Sequence, residues 1–203
     1  MIPKITICIV HYNKIKKLQN TVSALREQTN QPYRLKILNN GYEDEVVHSY
    51  LSELEQKEET EVIYSDKNLG CPPGRYQLLQ DIETPYAMTL DDDMYVEEGW
   101  LDEVYDIFES KAEVGVIGIP YREGDNIRGG ASVRREKGVV HVDKIDWDAV
   151  PQGQNTISVE DVPGGTMVFR TDLLTDFNWD PQYFVGMGDL DKSLQVMNTD
   201  WEQ

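Results

Sequence analysis

Three consecutive carboxylates, Asp91-Asp92-Asp93, follow an apolar run over residues 86–90 that reads as a strand. In an open α/β sheet, ligands bind just outside the C-terminal ends of the strands. Three adjacent acids repel one another there, and a hard divalent cation with oxygen ligands, Mg²⁺ or Mn²⁺, would relieve that repulsion. A solvated acidic turn is the competing reading. An EF-hand is excluded, because Tyr95 and Val96 stand where that loop needs an oxygen ligand and a glycine.

Four further fragments could do chemistry. Asn68-Leu69-Gly70-Cys71-Pro72-Pro73-Gly74-Arg75 is a Gly/Pro loop whose arginine could pair with a phosphate or carboxylate, or an ordinary strand-to-helix connection. It is not a GxxxxGK[ST] loop, and no GxGxxG is present in the chain. Asn39-Asn40-Gly41 ends a strand, where the amides could read a nucleobase edge or simply form an Asn-Gly turn. Gly164-Gly165 precedes an apolar strand, and Gly186-Met187-Gly188 leads to Asp189, which could act as a general base or cap the following helix. No nucleophile elbow accompanies a Ser/His/Asp set.

The elements that must position these residues alternate along the first half. Strands are predicted at 4–10, 35–38, 61–64 and 86–90, with a fifth apolar run at 114–119. Helices are predicted from a cap at Asn13 to residue 28, at 44–55, at 75–82, and around Trp100–Phe108 by its apolar spacing. This alternation implies an α/β fold, an open and mostly parallel sheet flanked by helices. The second half reads as a hairpin within 129–142, a loop over 143–158, a strand at 166–169, a short helix at 171–177 and a last helix at 189–197. One domain is expected over 1–203.

Composition narrows the function. The chain has 203 residues, 19 basic against 37 acidic, and a net charge of −18. That balance opposes a nucleic acid partner, which needs a positive footprint. No apolar run approaches a membrane span, and the N-terminus lacks a signal-peptide pattern, so a cytoplasmic protein is expected. Cys8 and Cys71 are expected as reduced thiols, and His11, His48 and His141 are too dispersed for a zinc motif.

Taken together and in order, these fragments resemble the family 2 glycosyltransferases of the GT-A fold. ITICIVHYNKIKKLQNTVSALREQT is similar to that family's opening strand, Tyr-Asn turn and first helix; LKILNNGYED to its second strand and nucleotide turn; NLGCPPGRY to its Asn-x-Gly-x-x-x-Ala-Arg-Asn segment. YAMTLDDDMYVEEGWL resembles the strand leading to its Asp-x-Asp motif, and VPGGTMVFRTDLL and FVGMGDLDKSL its acceptor-side glycine segment and Glu-Asp base motif.

The resemblance implies an inverting, metal-dependent transferase that moves a sugar from a nucleotide-diphosphate sugar to an acceptor hydroxyl. By the match, Asp189 is the base and Asp93 the direct ligand of Mn²⁺ or Mg²⁺. Asp91 meets the ribose or the metal, Asp92 shares either role, and Arg75 lies near the nucleotide with Asn68 and Gly70. Asn39 or Asn40 stands where the family usually has Asp; an amide oxygen can still accept the imide N–H of uracil, so UDP stays the first expectation, with GDP or dTDP open. Gly164, Gly165 and Asp191 fall on the acceptor side. Residues 1–120 would hold the nucleotide sugar and 121–203 the acceptor, a glycan, lipid-linked or protein acceptor. Peripheral membrane contact would accompany a lipid. Gly188 replaces the family's Glu, and no His follows His141, where many members continue with a metal-binding one; a shortened or minimal form is therefore expected. A catalytically degenerate nucleotide-sugar-binding or assembly module is the alternative, and a nucleotidyltransferase a third reading.

Overall fold

The computed structural model describes residues 2–151, 153–176, 180 and 182–203. The β-branched run Ile5–His11 forms β1, buried along almost its whole length, as suits a strand covered on both faces. Helix α1 (Ile15–Gln28) follows, then β2 (Arg34–Asn39), α2 (Glu45–Glu55), β3 (Thr60–Tyr64), α3 (Cys71–Leu78), β4 (Tyr86–Asp91) and α4 (Trp100–Ser110). Short β5 (Val116–Gly118) leads to two hairpins, β6 (Tyr121–Glu123) with β7 (Asn126–Arg128) and β8 (Ala131–Glu136) with β9 (Val139–Lys144). The chain then returns through β10 (Thr166–Arg170) to α5 (Gly188–Val196).

The central sheet runs β3-β2-β1-β4-β10-β5. Its first four strands are parallel, whereas β10 is antiparallel to both β4 and β5. Period-two alternation divides the core. Ile5, Ile7 and Ile9 pack with Leu18, Val22, Leu25, Val47, Leu51 and Val104 on one face. Cys8, Leu38, Leu78, Met167, Phe169 and Val196 form the core of the other. Register then aligns the strand ends: Val10 lies opposite Asp91, and His11 opposite Asn39. The polar residues that end β1, β2 and β4 therefore share one edge of the sheet.

Several boundaries differ from the sequence expectation. The N-cap of α1 is Lys14 and makes no side-chain cap bond, so Asn13 is not the cap. Helix α3 begins at Cys71 rather than Arg75, because Pro72 and Pro73 occupy its first turn, where a missing N–H costs nothing. Strand β1 extends to His11, one residue past the expected end. The β6–β7 hairpin was not legible, while the hairpin expected within 129–142 spans β8 and β9. A 3₁₀ turn at Trp147–Ala149 interrupts the expected loop, which also contains Gln152, outside the described residues. The helix expected at 171–177 is a 3₁₀ segment, Thr171–Asp176, and Phe177 lies outside the described residues.

Candidate active site

Strand β4 ends at Asp91, whose backbone N–H donates to Gly165 O at 3.0 Å, and the chain turns with Met94 N–H bonded to Asp91 O at 3.2 Å. That turn sends the three carboxylates in different directions, each to its own basic residue. Arg75 Nη2 donates to Asp91 Oδ1 at 2.6 Å. His11 Nδ1 bonds Asp92 Oδ2 at 2.7 Å. Lys17 Nζ donates to Asp93 Oδ2 at 2.6 Å, and this bond raises the pKa of the lysine ammonium. The three partners come from α3, β1 and α1, three elements that meet at this edge.

The carboxylates differ in access. Asp91 and Asp93 side chains are 38% and 36% exposed, and Asp92 is 20% exposed against a His11 that is fully buried. Thr21 Oγ1 also donates to Asp92 O at 2.9 Å. Asp92 is thus turned inward, while Asp91 Oδ2 and Asp93 Oδ1 keep no hydrogen-bond donor among the described residues. Two carboxylates with a spare oxygen each suit a hard divalent cation whose other positions are filled by phosphate and water. No cluster of three or more His, Cys, Asp or Glu side chains forms a metal cage among the described residues.

The Gly/Pro loop is fixed by Asn40. Its Nδ2 donates to Asn68 Oδ1 at 3.1 Å and Gly70 O at 3.2 Å, and its Oδ1 accepts from Leu69 N at 2.9 Å. Asn39 is bonded in both directions to the backbone of Tyr42. Both asparagines are buried, and their amides hold turns rather than standing open for a base edge. Gly70 has φ +88°, and a Cβ there would lie 2.3 Å from Phe184 O; the same oxygen accepts from Cys71 N at 2.9 Å. The segment before α5 is thereby tied to the start of α3.

Gly164 and Gly165 bring the second carboxylate group in. A Cβ on Gly164 would fall 2.3 Å from Arg75 Nη1 and 2.9 Å from Asp189 Cβ, and one on Gly165 would fall 2.3 Å from Asp91 Oδ2. Only a chain without side chains there lets Arg75, Asp91 and Asp189 converge. Burial opposes the Arg75 charge, but Asp91, Cys71 and Asp189 outweigh it and its pKa is raised. Burial also pushes up the Cys71 thiol, with Arg75 working against it.

Asp189 sits in the first turn of α5 behind Met187, so it is not the N-cap residue; its Oδ1 accepts from Leu190 N at 3.0 Å. Asp191 turns back onto its own helix, accepting from Lys192 Nζ at 3.1 Å and Gln195 Nε2 at 2.8 Å. Burial lowers the pKa of Lys192, and Asp191 opposes that.

A groove of about 280 Å³ runs along this edge, lined by Tyr12, Lys14, Asn40, Asn68, Gly70, Cys71, all three acids and Phe184. Arg75, Gly164 and Asp189 line a separate small gap, joined to the groove through the Arg75–Asp91 pair. The structure therefore gathers Asn40, Asn68, Gly70, Arg75, Asp91, Asp92, Asp93, Gly164, Gly165 and Asp189, and directs Asn39 and Asp191 into their own turn and helix. Sequence reading missed His11 and Lys17 as site residues, although His11 ends β1 just before the Tyr12-Asn13 turn and Lys17 lies in the first turn of the helix after it.

The family model described as glycosyl transferase family 2 matches residues 6–177. No curated protein is significantly similar in sequence. Among solved structures, S. aureus TarS 1–349 has 17% identity and a TM-score of 0.68, with 95% of this chain and 55% of that one aligned. GalNAc-T7 with UDP, GalNAc and Mn²⁺ has 15% identity and a TM-score of 0.76, over 98% of this chain and 41% of that one. TarS in complex with UDP-GlcNAc has 16% identity and a TM-score of 0.64, over 95% and 52%. The chain spans about half the length of the structures it matches, and at these identities the likeness is one of fold. No helix among the described residues is long and apolar enough to cross a membrane.

Proposed function

The chain belongs to glycosyl transferase family 2 and has the GT-A fold, and from that premise we propose that it is an inverting glycosyltransferase acting on a nucleoside-diphosphate sugar. The observation that carries the reading is the convergence of Asp91 and Asp189 on Arg75 across Gly164-Gly165, beside a groove at the strand ends.

In this reading residues 1–120 hold the donor and 121–203 face the acceptor. Asp91 and Asp93 each offer an oxygen to Mn²⁺ or Mg²⁺. The ion, when bound, supplies positive charge against the charge that develops on the leaving diphosphate. Asp189 keeps Oδ1 on the Leu190 N–H, which leaves Oδ2 to take the proton of the acceptor hydroxyl as that oxygen attacks the anomeric carbon. A single displacement inverts the configuration. Arg75 holds Asp91 in place through its 2.6 Å bond to Oδ1. UDP is the expected nucleotide, with GDP and dTDP as comparisons, and the cytoplasm, where such donors are available, is the expected place of work.

Thermal unfolding with UDP, GDP and dTDP, each with and without Mn²⁺, tests the donor site. A ligand at 100 times its Kd adds about 2.7 kcal/mol of stability, so one nucleotide should give a clear shift that needs the metal. A cooperatively unfolding protein that responds to none of them would instead be a degenerate member of the fold with a different ligand.

A further inference from the structure

We propose that Lys17 is a displaceable counter-ion of the metal position, holding Asp93 until a divalent cation arrives with the nucleoside diphosphate. The inference rests on Asp93 as a metal ligand and concerns what controls that ligand.

The three acids are met by an arginine, a histidine and a lysine, but these partners are not equally free to leave. The Arg75 side chain is only 12% exposed and wedged against Gly164 and Asp189. His11 is fully buried within β1. Lys17 is 43% exposed, on the first turns of α1, and reaches Asp93 with a flexible four-carbon stem. Exposed ion pairs of this kind are weak, and a divalent cation on a carboxylate oxygen outcompetes a single ammonium by charge and by closer approach. A cation can thus engage the spare Oδ1 of Asp93 while Lys17 sits on Oδ2, and Lys17 is the one partner of the three that can then leave without unpacking the protein.

Charge then couples the cation to the nucleotide. A divalent ion entering beside Arg75 and Lys17 meets positive charge that Lys17 keeps near the groove, on the same helix turn that Lys14 caps. A diphosphate in the groove supplies the negative charge that relieves this, and it gives the released ammonium a new partner. Cation and diphosphate should accordingly bind with positive, reciprocal coupling, and Lys17 should set part of its size.

The test is Mn²⁺ affinity, read from the electron paramagnetic resonance of free Mn²⁺, with and without saturating UDP. The proteins compared are the wild type, Lys17→Met, Lys16→Met and Asp93→Asn. Without nucleotide, Lys17→Met should bind Mn²⁺ about two- to fivefold tighter than wild type, and the tightening produced by UDP should shrink. Lys16 is exposed and makes no bond to Asp93, so Lys16→Met should behave as wild type. Equal or weaker binding by Lys17→Met, or equal tightening by Lys16→Met, would overturn the inference while leaving Asp93 as a ligand. Loss of nothing in Asp93→Asn would overturn the metal assignment itself, and this inference with it.

Discussion

Arg75 Nη2 stands 2.6 Å from Asp91 Oδ1, and this bond joins the helix that follows the Gly/Pro loop to the strand end that carries the acids. Neither residue could take that position if β10 approached with side chains at Gly164 or Gly165. Gly165→Ala places its methyl 2.3 Å from Asp91 Oδ2 and must rotate the carboxylate away from Arg75. Metal-dependent nucleotide affinity should fall by about tenfold or more, the equivalent of losing one charge-assisted hydrogen bond. Calorimetric titration with UDP and Mn²⁺ checks this. Unchanged affinity would mean that the Asp91 orientation is immaterial to the site.

The middle acid should behave unlike its neighbours. Asp92 serves the buried His11, whose Nε2 already lacks a partner among the described residues. Asp92→Ala leaves Nδ1 unpartnered as well, and stability to urea should fall by about 1–3 kcal/mol. Mn²⁺-dependent nucleotide binding should persist. Asp93→Ala should do the reverse, losing metal-dependent binding with little change in stability. The opposite pattern would exchange the roles assigned to these two acids.

Much of this arrangement was legible in the sequence because it depends on local pattern. The runs ITICIV and YAMTL are strands by composition, and a strand that ends in three acids must present them at a sheet edge. The glycine pair and Asp189 were visible as types without partners. What could not be read was pairing across distance: Lys17 and Asp93 are 76 residues apart, and His11 and Asp92 are 81 apart. Those contacts follow from the order β2-β1-β4 and from where α1 packs, not from any neighbour in the chain. The start of α3 was misplaced for a local reason, since two prolines suggest a loop unless they fall in the first turn of a helix. The antiparallel direction of β10 likewise has no signature in its own five residues.

Asp161 gives the fold a pH dependence of its own. Burial pushes its carboxyl from an ordinary 3.8 up to about 6; hydrogen bonds from Ser193 and Val162 work against that, and Asp189 adds to it. Its Oδ1 has no partner among the described residues. The protonated form is the one the folded state favours. The resulting stabilisation is complete below about pH 3.8 and is lost as pH rises through about 6. Asp161→Asn removes the need to ionise. It should raise stability at pH 7.5 by on the order of 1 kcal/mol, after allowance for partial exposure, and flatten the decline between pH 4 and 7. Thermal unfolding across that range checks it; an unaltered pH profile would show that Asp161 titrates as in solvent.

The central claim, that Asp189 is the base of a sugar transfer, is tested most directly by the turnover of Asp189→Asn with the donor that the nucleotide screen selects. The substitution preserves size and removes the proton acceptor. General-base help is typically worth about 10²–10⁴ in rate, so turnover should fall at least a hundredfold while nucleotide affinity stays close to that of the wild type. Wild-type turnover in Asp189→Asn would contradict the account.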